Sequence, residues 1–408
     1  MTDSIKTTLR LTKLSALVRK DINAVICTTA NPWGEMTGRY PRPSVQQSAM
    51  AKTKTKWVVR CSRDNPELGD VPTHIDADLN IPNATIGHNL EHGTSVWAAG
   101  VAALEQQRIW MAKGGVGRAA LDLLTTEDVS LRGATITYCL PCDTQVEAQT
   151  MVDAINATGK VLNPRRKFAD SRNLTVTLPE RTFTITAYIK TELKHCKFPD
   201  GAPVDDLIER ALYIVRVEVK LGLRFLKKQG LVALDSWRDA YEKGVYEAIF
   251  NATVRAKLRL GELRHKAPRA EVYERLSPEL GRLLRGYLKG YDPRKFPSVV
   301  DSQSPAKRFS ALRLAILKVA KIDIDIPWVE HVKLRCFELD AKLRYPGDYT
   351  PSDAHTPWCF CKANWPALRQ KLREAYEAAL TEYARKAELR AISTCGPAKL
   401  LHQESVSA

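Results

Sequence analysis

The sequence predicts an α+β fold, a mainly antiparallel sheet with helices on one face, followed by a basic and mostly helical C-terminal region. Three observations predict it. Short β-rich runs bounded by Pro, Gly, Asn and Asp crowd the first half of the chain; two capped helix-like segments lie between them; and after about residue 222 the apolar spacing turns helical. A chain of 408 residues is too long for one core, so more than one domain is expected. The expected division is an N-terminal segment 1–50, an α+β domain 51–225, a basic helical region 226–344 and a C-terminal loop and helix 345–408.

The strand candidates are WVVRC (57–61), NATIGHNL (83–90), ATITYCL (134–140), NLTVTL (173–178), FTITAYI (183–189) and LYIVRVEVKL (212–221). Between them, Thr94 and Ser95 can cap a helix that runs to Lys113, and Asp143 can open another that Gly159 closes. Gly230 ends the next helical stretch, and Asp235 can cap a long amphipathic run from 236 to 264. Further helices are expected at 277–289, 305–320 and 366–392, with 290–305 and 345–357 as linker candidates because they are rich in Pro, Ser and Asp.

Charge bounds the partners. The chain carries 62 Lys and Arg against 46 Asp and Glu, a net +16. Between Arg255 and Lys321 stand seventeen basic side chains against six acidic ones, so this stretch holds eleven of the sixteen net positive charges. A helical region this basic, interleaved with Tyr287, Tyr291 and Phe296, suits a phosphate backbone and unstacked bases; solvated helix faces are the plain alternative. Arg282, Arg285, Lys289, Arg294, Lys295, Lys307, Arg308 and Arg313 are its candidate DNA-binding residues. The first twenty-one residues lack the apolar centre of a secretory signal and no segment offers a membrane span, so a cytoplasmic protein without a membrane partner is expected. Nine cysteines at irregular spacing read as free thiols; Cys139-Leu-Pro-Cys142 has no second pair to make a zinc site.

Three patterns could carry chemistry. Alternation in 182–195 puts Tyr188, Lys190 and Glu192 on one face of a strand, and in 212–221 it puts Arg216, Glu218 and Lys220 on one face. In 81–94 a strand end carrying Gly87, His88 and Asn89 leads into a helix N-terminus, where backbone amides can hold an anion. Together these are parts of a metal-dependent phosphodiester transesterase: a phenolate to attack phosphorus, carboxylate and imidazole for a divalent cation, an ammonium to stabilise negative charge. Hard oxygen ligands with one imidazole suit Mg²⁺ or Mn²⁺. Exposed strand faces, a cross-strand ion pair and a capping histidine are the structural alternatives.

From about residue 80 to 330 the chain resembles the filamentous-phage replication initiators, rolling-circle tyrosine endonucleases grouped with the HUH enzymes. NIPNATIGHNLEHGTSVWAAG, FTITAYIKTELK, LYIVRVEVKLGLRFLKKQGL and FSALRLAILKVAKIDIDIP carry the resemblance. It departs from the HUH pattern in having no His-x-His and in a Tyr-x-Lys rather than Tyr-x-x-Lys spacing. The resemblance implies an HUH-endonuclease-like fold and a nickase that cuts the plus strand of double-stranded replicative-form DNA at the origin and later rejoins the displaced strand, in the host bacterial cytoplasm. Host helicase and polymerase would be partners; oligomerisation on the DNA is left open. It makes Tyr188 the nucleophile and Lys190 its assistant, with His88, Glu192 and Glu218 holding Mg²⁺ or Mn²⁺. Tyr138, on another strand, rivals Tyr188. A non-enzymatic origin-binding protein and a plasmid-mobilisation relaxase are the alternative functions.

Overall fold

The computed structural model describes residues 2–20, 22, 26–30, 36–41, 44–47, 54–61, 71–90, 92–162, 175–179, 182–191, 196–258, 266–325, 327–329 and 342–394. It is an α+β molecule. Strands β1 (Thr2–Arg10), β2 (Ile26–Ala30), β3 (Met36–Pro41), β4 (Ser44–Gln47), β5 (Lys54–Cys61), β6 (Pro72–Asn80), β7 (His92–Gly93), β8 (Val129–Pro141), β9 (Thr175–Pro179), β10 (Phe183–Ile189), β11 (Ile214–Gly222) and β12 (Phe360–Cys361) are joined mostly by helices. Eight of them form one sheet in the order β4-β5-β6-β1-β8-β11-β10-β9. Every neighbouring pair is antiparallel.

Alternation sorts the sheet into two chemically opposite faces. Ile5, Leu9, Ile75, Leu79, Ile136, Ile185, Val217 and Val219 are buried on one face, in a core shared with Trp237, Tyr246, Phe250 and Leu368. Ser4, Lys6, Asp76, Asp78, Thr135, Thr137, Thr184, Thr186, Tyr188, Arg216, Glu218 and Lys220 take the alternate positions on the same strands. The helix Val96–Lys113 packs on β1, the helix Gln145–Leu162 on β9, β10 and β11, and the long helix Trp365–Thr394 on Val96–Lys113. Ser95 starts the first of these helices by accepting a hydrogen bond from the Ala98 amide at 3.0 Å, as its sequence position predicts. A second core gathers Val272 from the helix Ala270–Glu274, Leu283, Leu284, Val299, Leu312 and Ile316 from the helices Pro278–Leu288, Pro297–Val300 and Pro305–Ala320, and Ile322 from the segment after them. Among the described residues no helix is long and apolar enough to cross a membrane.

Several expectations are corrected. The run 83–90 is no strand: Ile81–Ile86 is a helix, opened by Asn80 accepting from the Asn83 amide at 3.0 Å and closed by Gly87 at φ +84°. Pro82 explains the difference, since it has no N–H for a ladder and a φ already set for a first helical turn. The run after Asp235 breaks at Gly244, whose φ of +63° separates the turn Leu234–Trp237 from the helix Val245–Phe250. The helix opened near Asp143 passes Gly159 and ends at Leu162. Residues 290–305 are not a free linker, because Pro293 and Val299 are buried and two short helical turns dock on the second core. Nor does 345–357 hang free: Tyr349 packs on Cys139 and Ile214, and His355 is buried.

The division at residue 50 fails as well. β1 lies inside the sheet, hydrogen-bonded to β6 on one side and β8 on the other. The boundary at 225 fails for a similar reason, since Trp237, Tyr246 and Phe250 belong to the first core and the second spans only 272 to 324.

Leu9 is fully buried in the central strand. Leu9→Ala is expected to lower unfolding free energy by about 2–5 kcal/mol in urea melts. A loss under about 1 kcal/mol would show that β1 is peripheral to the stability of the sheet.

Candidate active site

The polar face of the sheet gathers most of the predicted groups at one end. Tyr188 on β10 stands directly across from Arg216 on β11, and its hydroxyl donates to the Glu218 carboxylate at 2.5 Å. Arg216 and Glu218 face the same way because they are two apart on one strand. Next to them, at the irregular start of β1, is Asp3, which accepts from the Asn80 amide at 3.1 and 3.2 Å and from the Asn89 amide at 2.9 Å. Arg216 donates to the backbone carbonyl of Asn89. The loop 87–90 is therefore clamped down over this end of the face.

Gly87 makes the loop's course sterically necessary. It takes φ +84°, and a Cβ there would lie 1.8 Å from the Lys197 carbonyl oxygen. The Gly87 carbonyl in turn accepts from the Lys197 amide at 2.7 Å. Only a residue without Cβ satisfies both the dihedral and the approach.

Burial sets the electrostatics. The Glu218 carboxyl is pushed up to about 7, chiefly by burial and then by the negative charge of Asp3; the Tyr188 hydrogen bond, Arg216 and Lys190 oppose the rise. Burial, and after it the Glu218 charge, holds the Tyr188 phenol well above the ordinary range. Arg216 is fully buried, and although burial opposes its charge, Tyr188, Cys139, Asp3 and Glu218 outweigh that and keep the guanidinium protonated. Its Nε and Nη2 have no hydrogen-bond partner among the described residues. A phenol on a carboxylate that titrates near neutrality, beside a cation with unused donors, can pass a proton and receive an anion.

The other sequence candidates fall in different places. Lys190 is close enough to Glu218 to favour its ionised form. His88 is fully buried, with the Leu90 amide donating to Nδ1 at 3.3 Å and the Phe198 ring centred 5.0 Å away. Burial pushes its imidazole down to about 4, and the Arg216 charge acts in the same direction, so the ring is neutral at neutral pH. Glu192 lies outside the described residues. Tyr138 lies across from Val217 on β8, in the apolar core, where its hydroxyl donates to the Tyr246 carbonyl at 2.8 Å. It points away from Tyr188. Among the described residues no three of His, Cys, Asp and Glu converge on a metal position. Sequence reasoning missed Asp3 and Asn80; plain alternation would put Asp3 on the side of Ile5 and Leu9, and the irregularity between Thr2 and Ser4 is what breaks that pattern.

In the basic region the cations divide. Arg282, Arg285, Lys289, Arg294, Lys295 and Lys307 are exposed. Arg285 lies over the Tyr273 ring at 4.8 Å, and Arg294 pairs with Asp325. Arg308 forks to Glu279 at 2.6 and 2.8 Å. Arg313 departs from the expected surface role: it is buried, and it holds Asp323 at 2.7 and 3.0 Å and Asp325 at 2.7 Å. It fastens the end of its helix to the following turn.

No protein-family model matches the chain, and comparison with curated proteins and with solved structures gives no match.

A carboxyl whose folded pKa is raised keeps its proton on folding, so its contribution to stability is present at low pH and is lost as pH rises through about 7. Glu218→Gln should gain stability relative to the parent chain between about pH 5 and pH 8, read from urea midpoints across that range. Parallel pH profiles for the two proteins would show that Glu218 is ionised in the folded state throughout.

Proposed function

We propose that the chain is a site-specific DNA endonuclease with strand-joining activity, a replication initiator of the filamentous-phage type that nicks the plus strand of double-stranded replicative-form DNA and rejoins the displaced strand. The observation that carries the reading is the Tyr188–Glu218 hydrogen bond on the polar sheet face, with Arg216 directly opposite the phenol. An antiparallel sheet with helices on one face and reactive groups on the other is also what an HUH-endonuclease-like fold implies.

In this reading the Tyr188 oxygen attacks phosphorus while its proton passes to Glu218. A phenolic O–P bond forms, the P–O3′ bond breaks, and the leaving oxygen takes a proton to become the 3′-OH that a host polymerase extends. Negative charge gathers on the nonbridging oxygens, where the unused Arg216 donors and Lys190 stabilise it. Rejoining is the reverse, with Glu218 returning its proton to the phenol. Glu218 and Asp3 are hard oxygen donors that fit Mg²⁺ or Mn²⁺, which would supply further charge neutralisation at phosphorus; the enclosed His88 ring is a packing residue in this arrangement. The exposed cations of the second core, Arg282, Arg285, Lys289, Lys295 and Lys307, grip the origin duplex. Strand separation falls to a host helicase, since the chain carries no P-loop.

The depth at which Tyr188 is held favours one other reading, a DNA-binding protein in which the phenol is structural. Supercoiled origin DNA with Mg²⁺ separates the two. The nickase reading expects open circles from the parent chain, none above background from Tyr188→Phe, and origin binding by that variant within about twofold of the parent. Tyr138→Phe should still nick while losing about 0.5–1.5 kcal/mol of stability with its hydrogen bond to the Tyr246 carbonyl. Undiminished nicking by Tyr188→Phe would remove Tyr188 from the chemistry.

A further inference from the structure

The polar sheet face is covered at one end and bare at the other. Along β11 the cover thins residue by residue: Arg216 is buried, Glu218 half-buried and Lys220 exposed. At the bare end the face hollows into a groove of about 340 Å³. Lys6, Arg132 and Lys220 line it, together with the hydroxyls of Ser4, Thr135, Thr182 and Thr184, and among the described residues no carboxylate does. Lys220 stands across from Thr184 on β10 and Thr135 on β8.

Two glycines face each other across β8 and β11 in the same groove, Gly133 opposite Gly222. A Cβ on Gly133 would come 3.1 Å from the Leu221 carbonyl and 3.7 Å from the Lys6 side chain; one on Gly222 would come 3.1 Å from the Thr182 carbonyl. Bare backbone there keeps the groove deep. Lys6 shares its charge with Asp78 at 2.8 Å and Arg132 with Asp76 at 3.3 Å. Lys220 has no ion pair among the described residues.

We infer that this groove is a phosphate subsite for a single nucleic-acid strand whose scissile phosphodiester lies at Tyr188, an inference that rests on the nickase reading. Cations, hydroxyls and exposed backbone without a lining carboxylate are the groups that position a nucleic-acid backbone without reading its bases. The groove joins the site along the strands: Thr184 and Tyr188 are four residues apart on one face of β10, about 13 Å at roughly 3.3 Å per residue. That is about four nucleotides of a stacked strand and fewer of an extended one. The loop 87–90 closes the face beyond Arg216, so the strand enters from the Lys220 end, and a flexible single strand can follow that course where a stiff duplex cannot.

The test is binding by the full chain carrying Tyr188→Phe, so that no covalent product forms. Labelled oligothymidylates of about four to about sixteen nucleotides are titrated at several salt concentrations, with Lys220→Ala and Lys220→Glu added to that background. The subsite predicts that Lys220→Ala weakens binding several-fold and lowers the slope of log K against log salt by roughly one, and that Lys220→Glu does more. Unchanged affinity and slope in both variants would overturn it, as would an effect that inorganic phosphate at millimolar concentration fully relieves at every strand length, which marks a free-anion site. Covalent attachment at Tyr188 is scored separately in the chain with Tyr188 intact. Attachment with Lys220-independent binding sinks the subsite and leaves the nickase; Lys220-dependent binding without attachment sinks the chemistry and leaves a strand-binding groove.

Discussion

The arrangement depends on one guanidinium that water does not reach. Arg216 is fully buried on a central strand of the sheet, and a buried charge persists only where acceptors and opposite charges surround it. Each partner it gathers comes from a different element. The Asn89 carbonyl comes from the loop after the first short helix, Asp3 from the first strand, Tyr188 from the adjacent strand, and Glu218 from its own. Asp3 is itself tied down by Asn80 and Asn89, so the loop and the first strand hold one another in place around the cation. Removing the guanidinium would leave two buried carboxyls facing each other with only Lys190 to offset them.

Much of this was legible in the sequence. Strict alternation places Tyr188 on one face of 183–189 and Arg216, Glu218 and Lys220 on one face of 214–222; the pairing of the two strands makes those faces coincide. Ser95 and the 305–320 helix were equally readable, because caps and helical periodicity are local properties. Pairing between distant segments was not readable. Nothing local shows that Thr2–Arg10 lies between residues 72–80 and 129–141, although its Ile5, Thr7 and Leu9 alternate with Ser4, Lys6 and Thr8. The two tyrosines also looked alike, since both sit in β-rich runs. Only the register, with Tyr138 opposite Val217 and Tyr188 opposite Arg216, separates a core phenol from one on the polar face.

The basic region shows why counting charges overstates a binding surface. Arg313 and Arg308 lie in the stretch that suggested a polyanion partner, yet their guanidinia are spent on Asp323, Asp325 and Glu279. A small core of twelve buried hydrophobic residues, among those described, needs such ties between its helix ends. The cations left on the surface are fewer, and they are carried by a unit with its own packing.

The place of the first strand has a consequence for biosynthesis. Ser4 bonds to Thr135, 131 positions further along the chain, so the strand that contributes Asp3 has only one of its two sheet neighbours until residues past 135 have been made. Long-range closure of this kind is slow and must wait for its partners. A nascent or truncated chain therefore holds a phenol, a carboxylate and a guanidinium that are not yet neighbours. On the nickase reading proposed above, the chain stays inert until its sheet is complete.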